Sequence, residues 1–336
     1  MTQSEMQAFA EQINEKPFRG RQLFGWIYAK KASRFDEMTD LSKSLRAKLA
    51  ETAAIGHLCL EGKSLSHASG STKYLFRLSD SKVIESVYIP EGGRKTLCIS
   101  SQVGCGMHCA FCATAQLGFM RNLIVGEIVD QVLYVERDQN VKLSNIVFMG
   151  MGEPFHNYDQ VIKAADLISH ADGIAIGHRR IVISTVGLVS KIIQYSDEGQ
   201  PFRLAVSLNS PFSEVRQKIM PITKKWDVAA LLEAVSYYAK KSRLRPTIEY
   251  VLIAGINDRE QDALELRRLL QNIPCKVNLI PYNAAIAGFQ RPSAERIDQF
   301  ARWLLPLRAP LTVRWSKGDD INGACGQLAA QVHKNN

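Results

Sequence analysis

Hydrophobic positions change their spacing twice along this 336-residue chain. In roughly the first 50 residues they recur at helical intervals: Leu41, Leu45 and Leu49 every four positions, and Leu23, Trp26 and Ile27 on one face of an earlier stretch, which predicts short helices. Between 56 and 95 the pattern tightens into two β-rich runs, STKYLFRLSD and KVIESVYIP, separated by Ser-Asp-Ser-Lys, which predicts a hairpin. From Thr96 onward, apolar runs of strand length alternate with longer amphipathic ones. Strands are predicted at TLCISS, NIVFMG, RRIVIST, RLAVSL, TIEYVLI, KVNLIPY and LTVRWS, with helices at GEIVDQVLYVERD, YDQVIKAADLIS, LVSKIIQYSDEG, VAALLEAVSYYAKKS, QDALELRRLLQN and AERIDQFARWLL. The chain therefore divides into a helical module (1–55), a connecting β-hairpin (56–95) and an α/β unit (96–336). Apolar strands joined by helices argue for a mostly parallel sheet covered on its outer face, and about six such units form an incomplete (βα)6 barrel better than a flat sheet.

In α/β enzymes ligands and reactive groups gather at the C-terminal ends of the parallel strands. Five notable segments fall there: a cysteine loop after the first strand, MGMGEP after the second, STVG after the third, SLNSP after the fourth, and PYN after a later one. The cysteine loop, VGCGMHCAFCAT, carries Cys105, Cys109 and Cys112. Thiolates are soft, charged ligands suited to iron–sulfur clusters and zinc, and a C-x3-C-x2-C run lets one loop ligate three irons of a cubane while the fourth stays open. Structural zinc is the rival reading. It needs a fourth ligand, which His108 could supply, although adjacent His108 and Cys109 could hardly both turn inward.

Composition narrows the classes. Seven cysteines, an odd number, argue against a secreted disulfide scaffold. Cys59 and Cys275 lie among apolar neighbours and are assigned to packing. There is no 18-residue apolar run, and the start, MTQSEMQAFAEQ, is too polar for a signal peptide, so a cytoplasmic, membrane-free protein is expected. The net charge of +9, from 42 basic against 33 acidic residues, favours a polyanionic partner. In KPFRGRQLFGWIYAKK basic residues interleave with aromatics, which suits RNA, whereas the bland alternative makes these aromatics the buried face of a helix.

TLCISSQVGC, FCATAQLGFMRNL, FMGMGEP, RQKIMPI and the C-terminal GDDINGACGQL together resemble the RlmN/Cfr family of radical S-adenosylmethionine RNA methyltransferases, from the helical module almost to the end of the chain. Pro154, where Cfr-like sequences tend to have Ala, leans toward the RlmN branch. The resemblance implies a radical-SAM partial barrel with a helical RNA-binding accessory domain and a C-terminal catalytic loop. It also implies a [4Fe-4S] cluster on Cys105, Cys109 and Cys112, and S-adenosyl-L-methionine held by Gly152 and Glu153, by Ser184, by Ser207, Leu208 and Asn209, and by Asn283. Asn209 stands where the family often has His.

By the same resemblance, Cys325 is the cysteine that becomes S-methylated, Cys98 the cysteine that later pairs with it, and Glu85 the proton acceptor. The implied reaction is methylation of adenosine carbon 2 in 23S rRNA, at the peptidyl-transferase centre, and in tRNA. The implied partners are those RNAs, an electron donor and a thiol reductant, with the chain acting as a monomer. Carbon-8 methylation of the Cfr type and a zinc-stabilised RNA-binding protein are the alternatives. Individually the residues have plainer readings too: Glu153 as a helix cap, Cys98 and Cys325 as packing, Ser184 and Ser207 as turn starts, Glu85 as a solvated hairpin residue.

Overall fold

A computed structural model describes residues 1–56 and 58–329; the end of the expected 96–336 unit, residues 330–336, lies outside the described residues. The strands, in chain order, are β1 (Cys59–Leu65), β2 (Thr72–Arg77), β3 (Val83–Glu91), β4 (Arg94–Cys98), β5 (Gln102–Gly104), β6 (Phe119–Asn122), β7 (Asn145–Phe148), β8 (Ile181–Thr185), β9 (Arg203–Ser207), β10 (Thr247–Leu252), β11 (Lys276–Pro281) and β12 (Leu311–Val313). Ten of them form one sheet in the order β1-β2-β3-β4-β7-β8-β9-β10-β11-β12. From β4 to β12 every neighbouring pair is parallel. The helices Val125–Asp138, Tyr158–Ser169, Val189–Asp197, Val228–Lys241, Glu260–Leu270 and Ala294–Leu304 make the crossovers. Spatial order follows chain order, as right-handed crossovers in a winding half-barrel require. Among the described residues the sheet does not close, and its outermost strands are β1 and β12.

The predicted hairpin exists as β2 and β3, but β1 adds a third antiparallel strand, and β3 pairs with β4. These strands thus continue the barrel sheet. β1 escapes a hydrophobic reading because it is an edge strand exposed along almost its whole length. Cys59, its first residue, is exposed, so its assignment to packing is corrected; Cys275 is buried as expected.

The N-terminal helices share the barrel's core rather than standing apart from it. Leu23, Phe24 and Tyr28 are buried in the same cluster as Val129, Leu133 and Leu167 of the crossover helices. Phe24 meets the His170 ring edge-on at 4.8 Å, and Gly173 lies so close that a Cβ there would come within 3.2 Å of Phe24 and Tyr28. Buried Glu136 pairs with Lys31 at 3.0 Å. Of the four aromatics in the basic N-terminal stretch, Phe24 and Tyr28 are core, Phe18 is exposed with Arg19 over its ring, and Trp26 is half-buried with Lys30 over its ring. Among the described residues no helix is long and apolar enough to cross a membrane.

Candidate active site

The cysteine loop is closed by a two-stranded ribbon. β5 pairs antiparallel with β6, and the Cys105 N–H donates to the Gly118 carbonyl at 2.8 Å. Gly104, at φ +72°, approaches that carbonyl so closely that a Cβ would lie 1.8 Å from its oxygen, so only glycine fits. Between the first two cysteines His108 takes a left-handed conformation (φ 54°) and points to solvent, while Cys109 turns inward and is buried. The pair faces opposite ways, which removes His108 as a partner of the thiols. Cys112 then precedes the short helix Ala113–Gln116.

Burial pushes the Cys105 thiol up to about 12 and Cys109 well above its ordinary value, with Cys112 raised too; repulsion from Cys112 and Cys105 adds to the shift at Cys109. Three mutually repelling buried thiols are stabilised as thiolates by a cationic body placed between them. Among the described residues no three His, Cys, Asp or Glu side chains are placed as a single metal ion requires. Three soft thiol donors carried by one short loop are a donor set that suits an iron–sulfur cluster.

Cys109 and Cys112 form one wall of a cavity of about 890 Å³ at the C-terminal ends of the strands. Gly152, Glu153, Ser184, Ser207, Asn209 and Asn283 line it, and Cys325 closes one side. Largely apolar walls with a few convergent polar groups suit a small-molecule ligand. Leu208 is the exception among the predicted binding residues. Its side chain lies in the core, its N–H donates to the Glu249 carbonyl at 3.0 Å, and its own carbonyl accepts from Arg216 at 2.9 Å.

The MGMGEP turn owes its shape to close packing: a Cβ on Gly150 would sit 2.7 Å from Ile99 backbone, and one on Gly152 (φ +101°) 2.6 Å from Gln102. Gln102 also accepts the Glu153 N–H at 2.8 Å. The Glu153 carboxylate accepts from the Phe155 N–H at 3.0 Å and the Val186 N–H at 2.8 Å. It does cap the short helix Pro154–Asn157, as the plain reading expected, but its second oxygen faces the next strand end. All these donors are neutral. Burial outweighs them and lifts the carboxyl to about 7.

Asn209 adopts φ 58°, a conformation Asn tolerates better than most side chains. Its amide accepts from the Val251 N–H at 2.8 Å and donates to the Met220 sulfur at 3.1 Å. Those bonds hold Asn209 against β10 and Met220.

The C-terminal loop folds back onto the cysteine loop. The Ala113 N–H donates to the Gly326 carbonyl at 2.7 Å, Thr114 Oγ1 to the Leu328 carbonyl at 2.6 Å, and Asn283 Nδ2 to the Cys325 carbonyl at 3.0 Å. Cys325 thereby lines a second, smaller cavity of about 390 Å³ together with Cys98, which lies at the end of β4 opposite Val147 of β7. Burial raises both thiols, Cys98 to about 12; at each the shift is opposed by Arg314, whose charge favours the thiolate.

Glu85 lines neither cavity. It is buried rather than solvated, pairs with Lys73 at 3.1 Å, and accepts the Ala329 N–H at 2.9 Å, four residues after Cys325. Lys73 in turn donates to the Asn322 carbonyl at 3.4 Å. The two residues hold the C-terminal loop from both sides of Cys325.

Three residues were not singled out from the sequence. Glu249 is buried in β10, lines the large cavity, is raised by burial, and accepts from Asn278 at 2.6 Å. Arg314 follows β12 and faces both cysteines. Arg216 is fully buried and donates to the carbonyls of Val186, Ser207 and Leu208 and to Thr223 Oγ1, tying together two strand ends that line the cavity. Burial lowers it to about 10, so it stays charged at neutral pH. A charge inside the apolar runs TIEYVLI and LTVRWS was the signal available for the first two.

Family models match two parts of the chain: the ribosomal RNA large subunit methyltransferase N-terminal domain over residues 1–55, and the radical SAM superfamily over residues 99–267. A protein of Alkaliphilus oremlandii named probable dual-specificity RNA methyltransferase RlmN is 45% identical over 329 residues, covering 98% of this chain and 96% of its own. The dual-specificity RNA methyltransferase RlmN of Geobacter sulfurreducens is 47% identical, with 98% and 90% covered. The crystal structure of a radical SAM methyltransferase from Sphaerobacter thermophilus superposes with a TM-score of 0.95 at 40% identity, covering 98% of each chain. With its half-barrel, its three-cysteine loop and these full-length likenesses, the chain belongs to the RlmN family of radical SAM RNA methyltransferases.

Proposed function

We propose that the enzyme methylates carbon 2 of adenosine in 23S rRNA and in tRNA, in the cytoplasm, by way of a methylated Cys325 that becomes linked to the base; Cys98 then attacks the Cys325 sulfur, which breaks its bond to the methylene carbon, frees the methylated RNA and leaves a Cys98–Cys325 disulfide. The observation that carries this reading is the meeting of Cys98 and Cys325 in one small cavity beside the cavity that Cys109 and Cys112 wall. Packing alone gives no reason for two thiols from opposite ends of the chain to share a pocket with a half-buried arginine. Adenine carbon 2 is electron-poor and lacks a nucleophilic lone pair, so a methyl carrier that adds to the ring and is then cut away suits the target.

In this reading Cys105, Cys109 and Cys112 hold a [4Fe-4S] cluster and the large cavity holds S-adenosylmethionine, which together supply the methyl group and the radical chemistry. Gly152, Ser184, Ser207, Asn209 and Asn283 orient the cofactor. Glu153 supplies the carboxylate for its ammonium group: a buried carboxyl with only neutral donors is stabilised most by a cation placed against it. Arg314 favours the thiolate at Cys325, which methyl acceptance requires. Glu85, through Lys73 and Ala329, positions the catalytic loop and is the acidic group nearest in the fold to its C-terminal anchor. The 1–55 module and the basic surface hold the RNA, consistent with the +9 charge and with the name of the matching N-terminal model. The base must leave its stack to enter.

Nucleoside mass analysis of 23S rRNA and tRNA incubated with the anaerobically reconstituted enzyme tests the proposal. Carbon-2 methyladenosine in both RNAs is expected. Carbon-8 methyladenosine alone would replace this reading with the Cfr type, and unmodified RNA would remove it.

A further inference from the structure

The Cys98–Cys325 cavity has a rear approach. It meets the large cavity at Met149 and Cys325, and on its other side shares Ile89, Val147, Arg314 and Lys317 with a wider recess of about 1270 Å³. That recess is lined where strands begin, by Arg94 and Thr96 of β4 and Asn145 of β7, with Thr312 of β12. The large cavity is lined where strands end, at Phe148, Ser184 and Ser207. The two cysteines therefore sit between openings at opposite ends of the half-barrel, and methyl transfer as proposed above uses only the front one.

The rear recess carries three cations, Arg94, Arg314 and Lys317, against one acidic residue, Glu91. Glu91 is loosely shared between Arg94 (4.0 Å) and Lys317 (3.8 Å), both of them well exposed. Arg314 is the deepest of the three and belongs to the recess and to the cysteine cavity at once. A positively charged funnel that narrows onto two thiols suits a small anion carrying a thiol. It suits a protein dithiol less, because Cys98 is 7% exposed and lies at the inner end of the smaller cavity.

We propose that this rear recess admits a small anionic thiol that reduces the Cys98–Cys325 disulfide, so that reductant and RNA enter from different ends. The inference rests on the functional reading above, in which turnover leaves that disulfide. One thiolate attacks a sulfur of the pair, forming a mixed disulfide and expelling the other cysteine as a thiolate. A second thiolate attacks the small-molecule sulfur of the mixed disulfide and frees the remaining cysteine. Two small thiols are oxidised to one disulfide, two cysteines are reduced, and the two protons of the small thiols end on the cysteines.

The test uses the full cluster-bearing chain after a single turnover on RNA, with the redox state of the Cys98 and Cys325 peptides followed by alkylation and mass spectrometry. Reduction by 2-mercaptoethanesulfonate is compared with reduction by neutral 2-mercaptoethanol, each rate expressed per thiolate. The anionic thiol is expected to be several-fold faster. In an Arg94→Glu/Lys317→Glu variant that preference should fall about fivefold, as expected for reversing two partly screened charges near the path. The neutral-thiol rate should hold and so report an intact fold. Saturating RNA should leave the small-thiol rate within about twofold. Equal rates for the two thiols, a preference untouched by the charge reversal, a block by RNA, or reduction by a protein dithiol alone would each overturn the rear port. Failure to find any Cys98–Cys325 disulfide after turnover would instead overturn the functional reading and the port with it.

Discussion

Replacing Glu153 with Gln should remove a pH dependence of stability that the native cofactor-free protein carries. Burial holds the folded carboxyl at about 7 against an ordinary value of 4.5. A carboxyl raised on folding binds its proton more tightly in the native state, so its stabilising contribution is fully present below about pH 4.5 and is lost as pH climbs through about 7. Each tenfold difference in proton affinity between the folded and unfolded states is worth about 1.36 kcal/mol, so the loss between pH 5 and pH 8 is on the order of 2 to 3 kcal/mol. The glutamine of the variant cannot ionise. It also turns an amide toward one of the two N–H donors, from Phe155 and Val186, which costs a constant amount at every pH. The informative quantity is thus the difference of differences: unfolding free energy at pH 5 minus that at pH 8, native minus variant, from urea titrations of the reduced apoprotein. Other titrating groups cancel in that subtraction. Equal pH slopes for the two proteins would refute an uncompensated buried carboxylate at this position, and with it the physical argument for ammonium binding there.

Ala at any one of Cys105, Cys109 or Cys112 should abolish iron incorporation, measured as iron and sulfide per chain, while far-UV circular dichroism stays native; a structural zinc site would lose its fold instead. Cys325→Ala should form no methylcysteine and no link to RNA, whereas Cys98→Ala should accumulate protein cross-linked to RNA through Cys325 on a denaturing gel. Absence of that adduct, with cluster and RNA bound, would take the releasing role from Cys98. Arg216→Met leaves the buried carbonyls of Val186, Ser207 and Leu208 without their donor, and should lower stability by about 3 to 5 kcal/mol in urea titrations.

The strand–helix alternation from β4 to Leu304 was legible because both periods are local properties: buried parallel strands read as apolar runs, and the covering helices repeat every 3.6 residues. The three-cysteine run was visible for a similar reason, since Cys105, Cys109 and Cys112 lie together in one short loop. β1 was not, because an exposed edge strand has no face to mark it. Nor could sequence show that Glu85 is buried against Lys73 and Ala329, that Leu208 faces the core while its neighbours line the cavity, or that Glu249 and Arg314 lie beside Cys325. Each of those depends on which residues the barrel's curvature brings opposite one another. The clearest case is Cys325. Its chemistry could be guessed from motif likeness, but its place beside Cys98 rests on Ala113, Thr114 and Asn283 gripping the returning C-terminal loop. Spacing along the chain determined the elements and the ligand loop; only the closing of long-range hydrogen bonds, each satisfying a group that burial would otherwise leave unpaired, decided how the cysteines meet.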